Sequence, residues 1–168
     1  FNSVLSKYMS DVIFEEKYED ILPCFYLGLF LNVVVSSLLG IPFCIHEVLV
    51  GKIGVLYAFT GFCGYMACVL VFYVIKYLQI CKDYMKITVF FLVGMASAFV
   101  MSLVLVYLCS FPVTDSMLVS ITMGFLVIAC EEIAMVKRYF KKNSGRYRPV
   151  FAYMKKYWML FLTDAFYT

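Results

Sequence analysis

Four stretches of this chain are predominantly apolar and long enough to cross a bilayer as helices. A helix rises about 1.5 Å per residue, so about 20 apolar residues span the hydrocarbon core. The runs are 22–44 "LPCFYLGLFLNVVVSSLLGIPFC", 53–75 "IGVLYAFTGFCGYMACVLVFYVI", 87–109 "ITVFFLVGMASAFVMSLVLVYLC" and 117–136 "MLVSITMGFLVIACEEIAMV". Each is apolar all round, which suits a span rather than an amphipathic surface helix. Composition agrees: 64% of the 168 residues are hydrophobic and 15% charged. A water-soluble fold of this length cannot bury that much apolar surface. The fold class expected is all-α integral membrane protein, a four-transmembrane-helix bundle.

Charge sets the orientation. The connection after the first run carries Lys52, and the one after the second carries Lys76, Lys82 and Lys86. The third, "SFPVTDS", has no basic residue and one acid, Asp115. The tail is rich in Lys and Arg. Lys and Arg accumulate on the inner side of membranes. With both termini inside, every basic residue except Lys52 lies there, so the chain reads as N-in/C-in. Pro23 fits a first helical turn, and Asp115 and Ser116 are expected to cap the fourth helix.

The expected organisation has three parts. Residues 1–21 form an amphipathic interfacial segment, with Val4, Leu5, Tyr8, Met9, Val12 and Ile13 on one face. Residues 22–136 hold the four spans. Residues 137–168 form a basic, aromatic tail lying in the headgroup layer. Both ends also fit a second reading, packing against the inner ends of the helices. No leader with a charged start, an apolar stretch and a cleavage site is expected, so targeting falls to the first span or to a lost leader.

Helices in lipid associate through close backbone approach and polar contacts. Ala58, Gly61, Gly64 and Ala67 form one small-residue stripe, and Gly94, Ala98 and Ser102 another; Ser36 with Gly40 and Ser120 with Gly124 mark the remaining spans. The stripes suit a compact bundle, or alternatively a docked partner helix or second copy. Asn32 lies mid-span, and a buried amide needs a partner.

Glu131 and Glu132 lie inside the fourth run, roughly 7 Å before Lys137. Adjacent helical positions point about 100° apart, so the two carboxylates cannot share a face. No basic residue stands three or four positions from either. Three readings stay open: both snorkel to the inner headgroups, one pairs with Lys76, or one lines an ion or proton path. Glu132 is expected to face inward, sharing its face with positions 128, 125, 124, 121 and 117. Lys76, a tyrosine hydroxyl or a backbone donor is its expected partner.

Cys44 and Cys109 end the first and third spans on the outer side and could form a disulfide there. Lys137, Arg138, Lys141, Lys142, Arg146, Arg148, Lys155 and Lys156 are candidates for binding anionic headgroups. His46 beside Glu47 is a surface contact or a pH-sensitive one.

Catalytic motifs are sparse. Lys141 followed by "KNSGRY" and Arg148–Pro149 resembles the first signature of membrane lipid phosphatases, which implies a phosphate held by cations. Those enzymes also use downstream histidines, and the single histidine, His46, precedes this stretch. "EEIAMVKR" resembles the glutamate pair of intramembrane CAAX-type proteases, with spacing different by one residue and no accompanying histidines. Four spans with short loops and both termini inside resemble tetraspan vesicle and junction proteins, by architecture alone. No CxxC, phosphate loop or metal cluster is present, so no cofactor and no metal are expected.

The leading functional reading is a non-catalytic polytopic membrane protein, a subunit or scaffold of a larger membrane assembly. The alternative is a channel or transporter protomer that uses Glu131 or Glu132. Expected partners are the bilayer with its anionic headgroups and other membrane subunits or further copies of the chain, with no nucleic acid. An endomembrane or plasma membrane is the expected location, with a mitochondrial inner membrane left open.

Overall fold

A computed structural model describes residues 2–140, 145, 147–157 and 159. Among them the chain is all-helical, with no strand. The helices are α1 (Asn2–Phe14), α2 (Ile21–Leu49), α3 (Val55–Ile80), α4 (Tyr84–Tyr107), α5 (Val113–Tyr139) and α6 (Arg148–Lys156), with a single 3₁₀ turn at Tyr18–Asp20 before α2. Helices α2 to α5 are each long and apolar enough to cross a membrane.

The helices outrun the apolar runs that seed them. Helix α2 continues beyond Cys44, through Pro42, as far as Leu49. Helix α5 begins four residues before Met117, because Pro112 accepts the first-turn hydrogen bond from Ser116 N at 3.0 Å. Asp115 and Ser116 therefore lie inside the first turn and do not cap it. Proline suits such a start, since the amide it lacks would have had no partner there.

The chain divides into two compact units, Asn32–Met135 and the combined ends Phe1–Leu31 and Val136–Thr168. The larger unit holds the rest of α2, all of α3 and α4, and most of α5. Its helices meet at glycines. A methyl group on Gly124 would lie 2.8 Å from the Gly94 carbonyl oxygen, so the α4 and α5 backbones touch. One on Gly64 would lie 2.7 Å from Thr122 Oγ1, which joins α3 to α5. The Thr122 hydroxyl adds a long hydrogen bond of 3.4 Å to the Thr60 carbonyl. Helix α5 is the central element: 39% of its apolar stretch is buried, against 17%, 22% and 11% for α2, α3 and α4.

The smaller unit packs α1 against α6. Leu5, Tyr8, Met9 and Val12 recur at helical spacing and are buried, with Ile21, Phe25, Val136 and Val150 in the same unit. The Tyr8 and Tyr153 rings meet edge to face at 5.0 Å, the Tyr153 hydroxyl donates to Asp11, and Lys7 sits 4.4 Å above the Tyr157 ring. Burial, reinforced by Asp20, pushes the Tyr8 phenol up to about 12. Burial and the bond to Asp11 push the Tyr153 phenol up as well. The apolar face of α1 thus lies against protein.

Candidate polar ridge on helix α5

Ser116, Ser120, Gly124, Ile128 and Glu132 recur every fourth residue of α5, and all five are buried. Residues four apart form a ridge that winds slowly round a helix. That winding explains a difference from the expected inner face. Met117 and Ile121 are exposed, and Ser116 and Ser120 take their places beside Ile128 and Glu132.

Most hydroxyls on and around the ridge are satisfied within their own helix. Ser120 donates to the Ser116 carbonyl at 2.6 Å, Thr122 to the Leu118 carbonyl at 2.8 Å, and Ser97 to the Gly94 carbonyl at 2.7 Å. Such back-bonding lets a polar residue sit in an apolar helix at little cost. Two side chains at opposite ends of the ridge differ. Ser116 is 1% exposed and its hydroxyl has no hydrogen-bond partner. Glu132 is 0% exposed and neither carboxylate oxygen has one. The two lie 16 residues apart, about 24 Å along the helix, close to the thickness of a hydrocarbon core. Between them the ridge is closed by the Gly94–Gly124 contact and by Ile128, which clusters with Val71 and Ala129 under Phe91 and Phe125.

The partners expected for Glu132 are not there. Lys76 is exposed and makes no ion pair with either glutamate among the described residues. Glu131 is half-buried, with one carboxylate oxygen unpartnered. The exposed Lys76 fits a long cationic side chain that carries its ammonium away from the interior. Asn32 is half-buried and is not without a partner. Cys44 and Cys109 are free thiols, half-buried and exposed respectively, and the Cys44 thiol points at the Ala58 carbonyl, 3.7 Å away.

Among the proposed headgroup ligands, Lys137, Arg138, Arg148, Lys155 and Lys156 are exposed. The Lys137 ammonium stands 5.8 Å from the centre of the Tyr26 ring. Lys141, Lys142 and Arg146 lie outside the described residues. His46 Nδ1 lies 3.5 Å from a Glu47 carboxylate oxygen. Two polar features went unread in the sequence. Tyr73 and Tyr77 are buried on α3 with their hydroxyls 2.6 Å apart. Their i,i+4 spacing is the available signal. Ser116 looked like a cap and is an interior hydroxyl. No group of three metal-ligating side chains occurs among the described residues.

An unpartnered carboxylate in the most buried span is unusual, and polar groups at membrane depth go with transport paths. The family described as "PelG: Putative exopolysaccharide Exporter (EPS-E)" matches residues 1–168, the whole chain. The chain belongs to the PelG family. No curated protein and no solved structure matches it. PelG membership makes this an integral, multi-pass membrane protein of a transport-related family.

Proposed function

We propose that this PelG-family chain takes part in exporting an exopolysaccharide across a membrane, and that Glu132 is the group that couples movement of the path to a proton or cation. The observation that carries the reading is the Glu132 carboxylate, buried on the central helix with both oxygens unpartnered. A purely structural carboxylate gains nothing from that position, because burial without a partner costs stability. A coupling carboxylate needs it, since a proton or cation must find the oxygens free. The α5 ridge supplies polar ends and an apolar middle, the pattern of a path closed at its centre. The chain sits N-in/C-in, with spans near 22–44, 53–75, 87–109 and 117–136 and basic flanks at 137–168 facing anionic headgroups. Its role is non-catalytic, and other membrane subunits or further copies complete the assembly.

The test is export in cells that depend on this protein. Glu132→Gln keeps size and burial but cannot cycle a proton. It should cut released exopolysaccharide at least tenfold at unchanged protein level in the membrane, and Glu132→Asp should retain part of the activity. Export at the wild-type rate by Glu132→Gln would leave the carboxylate structural and restore the subunit or scaffold reading.

A further inference from the structure

Where α3 begins, α4 ends and α5 begins, the larger unit contains a cavity of about 640 Å³. Its size falls within the range of about 300–1,000 Å³ common for small-molecule sites. Gly54, Tyr57, Thr60, Phe111, Asp115 and Ser116 line it, among other residues. Two of these set its chemistry. Asp115 is a half-buried carboxylate. Ser116 is among the lining residues, is 1% exposed, and has a buried hydroxyl with no hydrogen-bond partner. The rings of Tyr57 and Phe111 add flat apolar faces.

We propose that this cavity is a saccharide subsite, which binds one or two neutral sugar units of the exported chain. A pyranose presents hydroxyls round its rim and C–H bonds on its faces. The Asp115 carboxylate can accept two vicinal hydroxyls, a charge-assisted arrangement stronger than a neutral hydrogen bond. Ser116 has both a donor and an acceptor to spare. Tyr57 and Phe111 cover the C–H face. A lipid tail would leave Asp115 and Ser116 unsatisfied. A metal ion would find too few ligands, since no cluster of three occurs among the described residues. Among the described residues none that lines the cavity is a cation, so a uronic acid would meet the Asp115 charge there. In the N-in orientation the cavity opens on the outer side, at the opposite end of α5 from Glu132, where an exported chain leaves. The inference rests on the export reading for the direction of traffic and on the cavity alone for the site.

Glycine supplies the sharpest variant. A Cβ built on Gly54 meets nothing within 4 Å, and its backbone angles (φ −58°, ψ 135°) suit any residue. Gly54→Phe should therefore narrow the cavity without disturbing the fold. The experiment titrates cellotetraose, a neutral oligosaccharide, into the full chain in lipid nanodiscs and reads binding by saturation-transfer NMR. Wild type should bind at millimolar concentration, and glucuronic acid should bind at least tenfold more weakly. Asp115→Asn should weaken cellotetraose about tenfold, and Ser116→Ala several-fold. Gly54→Phe should weaken binding at least tenfold at unchanged melting temperature. If Gly54→Phe fails to fold, the near-isosteric Asp115→Asn carries the test alone. No binding by wild type, or binding that Asp115→Asn leaves unchanged, overturns the subsite. Export by the Glu132 variants is a separate readout. Lost export with no sugar binding removes only this inference, and sugar binding with normal Glu132→Gln export removes only the coupling role.

Discussion

Replacing Glu132 with leucine should stabilise the fold while it ends export. The carboxyl group has no partner to lose, and burying a polar group unpartnered costs about 1–3 kcal/mol on mutational data. Leucine is close in volume and would occupy the same helical face, one turn beyond Ile128. The melting temperature in detergent should rise for Glu132→Leu, the usual trade between stability and a functional polar group. A fall would mean that the carboxylate holds the helices together. At this scale the sequence was partly legible. That Glu131 and Glu132 must diverge followed from the helical rotation alone, and the structure has Glu132 fully buried with Glu131 half-buried. The missing partner was not legible. Lys76 stood at a matching depth by counting residues, but depth says nothing of azimuth, and its side chain points out of the protein.

Elements meet here through glycine, and glycines that look alike in sequence differ in what surrounds them. Gly124 lies 2.8 Å, measured from an added methyl, from both the Ala98 methyl and the Gly94 carbonyl. Gly61 faces open space. Gly124→Leu should therefore force α4 and α5 apart and cost about 1–3 kcal/mol or more, as overpacking does. Gly61→Ala should be neutral or stabilising by up to about 1 kcal/mol, because alanine favours the helix and nothing is in its way. Thermal melts of the two variants in detergent check the contrast, and equal destabilisation by both would contradict it. Both glycines belong to small-residue stripes that the sequence displays clearly. A stripe states that a helix can be approached closely; which neighbour comes, and at which glycine, depends on how the helices cross.

The whole molecule has an orientation that two cysteines can report. Cys81 follows α3 and Cys109 follows α4, on opposite sides of the membrane in the N-in/C-in arrangement. In variants that keep one cysteine each, a membrane-impermeant maleimide should label Cys109 from outside intact cells and Cys81 only after the membrane is opened. Burial, with Asp83 adding to it, pushes the Cys81 thiol above its usual range. The thiolate is the reactive form, so Cys81 should label slowly at neutral pH and keep accelerating above the range where an ordinary thiol has levelled off. Labelling of Cys81 from outside would reverse the topology. The two ends of the chain add a feature that neither end displays by itself. Helix α1 has the apolar face of a surface helix and α6 a basic one, and Tyr8, Asp11, Tyr153 and Val150 join them.

The amino-acid sequence by itself determined the class of fold and the number of spans. Those depend on the length and polarity of each run, which bilayer thickness and backbone hydrogen bonding translate directly into helices. It also determined that two adjacent carboxylates could not be equivalent. Tertiary structure alone decided that the α5 ridge runs through Ser116, Ser120, Gly124, Ile128 and Glu132, that Ser116 is a buried hydroxyl without a partner rather than a helix cap, and that α1 meets α6. The physical reason is that helices apolar on every side have no polar face opposite an apolar one to mark which side turns inward. Rotation about the helix axis is then set by where backbones can approach, at Gly94, Gly124 and Gly64, and that is a property of pairs of helices and not of any one of them.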